Sequence, residues 1–192
     1  MRTRFSVKLL IVTVLTLVGF VIVQQFFAAF GSSADKAKRD KPDSVLMEIA
    51  KYRQWTLVNP TPVMMNPAAA FACAISFSTN PHETKYVSVY VNPKGASAMM
   101  TENQPRFPEG SIIVKEKLGA ILSEKPELLT VMIKREAGYN PESRDWEYLV
   151  LDGPASEIIE RGKLSRCNQC HEKYVDTDFV TMRYLNRKPK GE

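Results

Sequence analysis

Residues that staple folds or cage metals are scarce in this chain: three cysteines and two histidines among 192 residues. A four-ligand zinc site built on the pair Cys167 and Cys170 with His171 would have to draw its fourth ligand from Cys73 or His82, far off in sequence. Acidic residues are missing altogether from positions 1–34, which carry only Arg2, Arg4 and Lys8 as charges. The rest of the chain is left with a net charge of +2, so the overall +5 is no argument for a nucleic-acid partner. Internal repeats and low-complexity tracts are also absent, which excludes a solenoid or a disordered scaffold.

The basic N-terminus precedes a long apolar run, Leu9 to Phe30, broken only by Thr13, Thr16, Gly19 and Gln24-Gln25. As a helix, about 22 residues at 1.5 Å each reach roughly 33 Å, enough for a bilayer core. A secretory signal usually has a shorter apolar region, yet Ser32-Ser33-Ala34 offers a small-residue cleavage site. Residues 1–34 are therefore read as a membrane anchor or a signal peptide. A buried core helix does not fit, because the run has no amphipathic face. Positive charge ahead of the span puts the N-terminus inside and everything after it outside. The expected location is periplasmic, tethered to the inner membrane, or free in the periplasm if the span is cleaved. Residues 35–43, with Lys36, Lys38, Arg39 and Lys41 interleaved with Asp35 and Asp40, read as a solvated linker.

Residues 44–192 form the second expected domain, of α+β class: mainly antiparallel sheet, short helices, and a C-terminal helix bearing the cysteine pair. Asp43 or Ser44 caps a short helix toward Trp55, with Val45, Leu46 and Ile49 on one face. Asn59–Pro67 holds three prolines and reads as irregular. Strands are expected at Tyr86–Val91, Ser111–Leu118, Leu128–Arg135 and Trp146–Leu151, where β-branched and aromatic residues cluster. Ser97–Glu102 reads as a short helix, and helix resumes from Ser165.

Cys167-Asn168-Gln169-Cys170-His171 is the C-x-x-C-H pattern of covalent c-type haem attachment. On a helix the three reactive residues fall at i, i+3 and i+4 and share one face. Two thiols then meet the two haem vinyl groups while the imidazole reaches the iron from the same side. In a chain of this composition the pattern arises by chance in roughly one case in two thousand. A thioredoxin-like pair would sit early in a βαβ unit, not near the C-terminus. A plain disulfide across two residues would be strained and leaves the histidine without a use. Of the methionines, only Met182 follows His171, on an adjoining element that does not easily reach the opposite haem face. Met64, Met65, Met99, Met100 and Met132 read as core or loop filler. An open sixth iron position is the favoured inference.

The chain closely resembles the cytochrome P-460 family. The motifs that carry the resemblance are Tyr52-Arg53-Gln54-Trp55, Val89-Tyr90-Val91-Asn92-Pro93, Gly110-Ser111-Ile112-Ile113-Val114-Lys115-Glu116 and Trp146-Glu147-Tyr148. They continue with the haem motif, then Thr177-Asp178-Phe179-Val180 and Arg183-Tyr184. The resemblance implies a mostly antiparallel β fold with one haem c and five-coordinate, histidine-bound iron. Some members oxidise hydroxylamine and carry a lysine bonded to a haem meso carbon; the related cytochromes c-prime-beta lack that bond and bind gases such as nitric oxide.

Lys115 stands at the cross-linking position, where an amine held in an apolar wall would become nucleophilic. The plainer reading is that Val114-Lys115-Glu116-Lys117 is a strand with its charges in solvent or paired across strands. Glu136 is the candidate proton acceptor, by rough placement against the family. Tyr86–Val91 lacks the arginine that some enzyme members carry there. Phe71 and Phe77 lie where the gas-binding members place a phenylalanine over the iron, though each also reads as core. His82 reads as a surface histidine, Cys73 as a small buried residue, and Trp55 and Trp146 as core anchors. The expected ligand is a small nitrogen compound, hydroxylamine or nitric oxide, with a redox partner protein, a membrane contact through the N-terminal helix and a homodimer as the default. The alternative functions are a membrane-tethered electron carrier with six-coordinate haem and a haem subunit docked to a larger complex.

Overall fold

The computed structural model describes residues 43–65 and 85–185. The anchor or signal of residues 1–34, most of the linker, and Phe71, Cys73, Phe77 and His82 lie outside the described residues. Among the described residues no helix is long and apolar enough to cross a membrane.

The architecture is mainly antiparallel β-sheet with few short helices. The described strands are β1 (Thr56–Leu57), β2 (Val63–Met64), β3 (Tyr86–Val91), β4 (Ile112–Leu118), β5 (Leu128–Lys134), β6 (Trp146–Asp152) and β7 (Ile158–Gly162). They form one sheet in the order β1-β3-β4-β5-β6-β7, with β2 also paired to β3. Three α-helices accompany it among the described residues: α1 (Ser44–Ile49), α2 (Pro93–Thr101) and α3 (Ser165–His171).

The register decides what each face presents, since side chains alternate along a strand. Val89, Lys115, Thr130 and Val150 are aligned across β3 to β6, and Val91, Ile113, Met132 and Tyr148 form the next row of the same face. The opposite face carries Tyr90, Val114, Val131 and Leu149 in register. Each face has its own core. One gathers Val87, Val89, Val91, Met99, Trp146 and Phe179. The other gathers Ile49, Tyr52, Val114, Leu129, Val131 and Leu149 under α1. Full burial of each such aliphatic side chain contributes about 1.5–3 kcal/mol, so both faces are strongly specified.

Two expectations need correcting. The charges of β4 do not face solvent: Glu116 and Lys117 are 3% and 0% exposed, and Lys115 is half-buried. Both faces of this central strand are covered, so its charged residues are held inside by partners. The helix expected at Ser97 begins at Pro93 instead. Asn92 caps it by accepting from the Gly95 N–H (3.1 Å), and Pro93 fits the first turn, where no N–H is needed. Asn92-Pro93 thus ends β3 and starts α2 at once. Gly95 lets α2 lie close on the sheet, because a Cβ there would come within 2.8 Å of Val91 Cγ2.

Candidate haem site

Local geometry around the cysteine motif follows from its sequence. α3 carries Cys167, Cys170 and His171 on one turn-and-a-bit. A 3-10 stretch, Glu172–Thr177, follows, and then Asp178 and Phe179 both adopt left-handed backbone (φ 55° and 64°). Neither is glycine, and each such residue costs on the order of 1–3 kcal/mol. The reversal turns the Phe179 carbonyl back onto His171, whose Nδ1 donates to it at 2.6 Å. A carbonyl can only accept, so Nδ1 bears the proton and Nε2 keeps its lone pair.

The histidine stays neutral. Burial pushes its pKa down to about 4, the Lys115 ammonium adds to the effect, and the Phe179 carbonyl opposes it. A neutral imidazole with one nitrogen anchored is the state a metal ligand needs. Cys167 is pushed up to about 11, chiefly by burial, with Glu160 and Cys170 adding and Arg166 opposing. A redox-active pair requires a lowered thiol pKa, so this environment argues against the thioredoxin-like reading.

Cys167, Cys170 and His171 all open onto one cavity of about 1010 Å³, counted out to its mouth. Its sheet wall is Ile113, Lys115, Thr130, Met132, Tyr148 and Val150, the cavity-facing positions of β4, β5 and β6. Met65 and the returning chain at Thr181, Arg183 and Tyr184 complete it. Lys115 reaches in with its ammonium 5.0 Å from the Tyr184 ring centroid, a cation–π distance.

The residues present fit a haem. Apolar side chains line the sheet wall, as a porphyrin face requires. Lys115, Lys173 and Arg183 border the cavity, and no carboxylate appears among its described lining residues. Such a wall suits a group with two propionates. Two buried hydroxyls in the lining, Tyr148 Oη and Thr181 Oγ1, make no hydrogen bond within the protein. Buried polar atoms are nearly always satisfied, so both point to a bound group. Burial raises the Tyr148 pKa, with the nearby Ser143 hydroxyl opposing from outside hydrogen-bond geometry and Cys167 adding, so the phenol remains a donor.

A family model, Cytochrome P460, matches residues 49–182. The chain belongs to the cytochrome P460 family. It is therefore a c-type haem cytochrome, and the cavity beside α3 is where its haem c fits. No curated protein matches the chain.

Within this cytochrome P460 the sequence candidates separate. Lys115, Cys167, Cys170 and His171 come together on one cavity. Glu136 does not join them: it is exposed in the turn between β5 and β6. Four residues past Met132 along an extended strand is roughly 13 Å of chain, which carries Glu136 away from the wall. Met65 and Met132, read as filler, both line the cavity, and Lys117 Nζ lies 3.3 Å from the Met65 sulfur. Met99 is core, and Met182 packs against the core beside Tyr184. Tyr148, Thr181 and Tyr184 line the cavity too, beyond the site residues that the sequence points to. Two of them stood within the family motifs, Tyr148 after Trp146 and Tyr184 after Arg183; Thr181 carried no signal.

Proposed function

We propose that this cytochrome holds one haem c covalently through Cys167 and Cys170, with His171 as the iron's protein-side ligand. The opposite side of the iron is open to hydroxylamine or nitric oxide. The observation that carries this reading is the meeting of His171, neutral and tied at Nδ1, with Lys115 and both cysteines on a single cavity. When bound, haem iron supplies a site that takes small nitrogen ligands and exchanges electrons. The chain's own residues do the rest. Phe179 fixes the tautomer of His171, the apolar sheet wall excludes water, Tyr148 and Thr181 leave hydroxyl donors for a bound group, and Lys173 and Arg183 bring positive charge to the cavity border. Lys115 lines the same cavity and would be the amine of a lysine cross-link, whose formation removes one amine hydrogen and one meso hydrogen and needs a two-electron oxidant.

The described wall offers no carboxylate to remove protons from hydroxylamine, and Glu136 faces solvent. The exported, periplasmic setting, a redox partner protein and a tether at residues 1–34 belong to the same proposal and rest on the sequence pattern alone. Visible spectra of the matured protein, oxidised and reduced, beside Lys115→Ala test it. A red-shifted reduced Soret band that disappears in the variant establishes the lysine bond and makes hydroxylamine oxidation the assay to run. An ordinary high-spin haem c spectrum in both proteins, with nitric oxide binding to the ferrous form, establishes the gas-binding function.

A second reading is favoured by Met65 and Met132, whose thioethers line the same cavity. Either one on the iron would make a six-coordinate electron carrier. Sharp low-spin bands in the reduced protein, lost in Met65→Leu or Met132→Leu, would establish that function and sink the open-site reading.

A further inference from the structure

The reversal after α3 is held by one buried carboxylate that has no place in the family's haem motif itself. Asp178 is 1% exposed. Its Oδ2 accepts the Phe107 N–H at 2.9 Å, and Lys134 Nζ donates to Oδ1 and Oδ2 at 2.9 and 2.8 Å. Its own carbonyl accepts the indole N–H of Trp146 at 2.7 Å. Phe107, Lys134 and Trp146 belong to three separate parts of the chain: the approach to β4, the end of β5 and the start of β6. All of them converge on the residue immediately before Phe179, whose carbonyl receives the His171 proton.

We propose that Asp178 is a positioning residue that sets how strongly His171 donates to the iron. The clamp keeps two adjacent non-glycine residues in left-handed backbone, a conformation the chain would otherwise leave. While they stay there, the Phe179 carbonyl remains aimed at Nδ1–H. A strong hydrogen bond at Nδ1 makes the imidazole more basic and its bond to a metal stronger. Lys134 matters as well: its charge lets a buried carboxylate persist next to the ring of Trp146, which the ammonium also approaches at 5.0 Å. The electronic state of the iron is thereby coupled to the sheet ends through Asp178, and not only through the cysteine motif. This deepens the proposed function and rests on His171 being the iron ligand.

The experiment uses the matured haem protein with Asp178→Asn and Trp146→Phe. The first removes the charge and with it the ion pairs to Lys134 and, at 4.0 Å, to Arg144. The second removes one hydrogen bond to the Asp178 carbonyl and no charge, so it separates geometry from electrostatics. Resonance Raman of the ferrous protein reads the iron–histidine stretch, and a redox titration reads the midpoint potential. The stretch is expected to move to lower frequency in both variants, further in Asp178→Asn. The potential is expected to rise as the ferric form loses donor support. A tenfold change in the ferric-to-ferrous balance corresponds to about 59 mV for one electron. A merely structural role would lower the melting temperature and leave the stretch where it was, and that result overturns the proposal. If Asp178→Asn does not mature, the shift in Trp146→Phe decides. Wild-type protein lacking an iron–histidine stretch that depends on His171 would instead overturn the haem-ligand reading beneath it.

Discussion

Replacing Tyr52 by Phe should cost about 2 kcal/mol of stability while leaving the haem cavity intact. On the sheet face opposite the cavity, the Tyr52 hydroxyl donates to the Glu116 carboxylate, and Arg53 Nε reaches the same oxygen at 2.8 Å. Glu116 is nearly fully buried, while Arg53 is half in solvent. Burial and the neighbouring carboxylate raise the Tyr52 pKa, so the phenol stays a donor through the whole working range. A hydrogen bond to a charged group is worth about 1.5–3 kcal/mol, and losing it strands part of a desolvated carboxylate. Arg53 remains to pair the charge, which keeps the loss near the middle of that range. With a urea m-value of about 1–3 kcal/mol per molar, the unfolding midpoint should fall by roughly 1 M.

The functional interest lies in parity. Glu116 sits between Lys115 and Lys117, and the three alternate between the two sheet faces. A one-residue slip of β4 would bury Lys115 against α1 and take it out of the cavity. Tyr52 and Arg53 penalise that slip by giving Glu116 a place only in the native register. A double-mutant cycle on Tyr52→Phe and Glu116→Gln, followed by urea unfolding, measures the coupling. An interaction energy of about 1–2 kcal/mol is expected for residues in direct contact. Additivity within about 0.5 kcal/mol would refute the reasoning, since a register lock must act through the pair.

In haem-free protein, His171 should make stability fall as the pH is lowered. Its folded pKa of about 4 lies below the ordinary 6.5, so its contribution is complete above pH 6.5 and is lost as the unfolded chain alone takes up the proton down to about pH 4. The full shift corresponds to about 3 kcal/mol, and about 2 is expected because the open cavity admits water; urea unfolding at pH 7 and pH 4.5, referenced to His171→Gln, reads it. Tyr148→Phe should be neutral or mildly stabilising without haem, because the lost hydroxyl has no protein partner, and should speed haem loss from non-covalently loaded Cys167→Ser/Cys170→Ser protein. Slower haem loss when Tyr148→Phe is added to that double-serine protein would contradict the fit. Glu136→Gln should alter stability by less than about 0.5 kcal/mol and leave the rate of hydroxylamine turnover or nitric oxide binding unchanged, as measured by stopped-flow absorbance.

Much of this fold was legible from local pattern. β3, β4, β5 and β6 carry dense β-branched and apolar runs, and their ends fall within one residue of expectation. The haem motif was legible because its spacing is itself the chemistry: three reactive residues on one helical face. β1, β2 and β7 were not. Thr56-Leu57 and Val63-Met64 are two-residue pairings that exist only because β3 offers an edge, and Ile158–Gly162 ends in Glu160, Arg161 and Gly162, residues that favour no strand alone. Tertiary pairing made those strands, and no window of sequence contains it.

The same distinction explains the candidate site. Whether Lys115 faces solvent or cavity depends on which face of the sheet each neighbour covers, and the strand pattern of β4 is apolar on both faces. Glu116 resolves that ambiguity only through Tyr52 and Arg53, more than sixty residues earlier in the chain. His171 was evident from its motif, but its tautomer is set by Phe179 eight residues on, through two backbone angles that ordinary residues avoid. Asp178 was part of a recognised motif with no role attached, because its partners Phe107, Lys134 and Trp146 are 32 to 71 residues away. The cysteine motif specifies that a haem is held. The long-range contacts of the sheet specify which amine lines the cavity beside it and how firmly His171 is aimed.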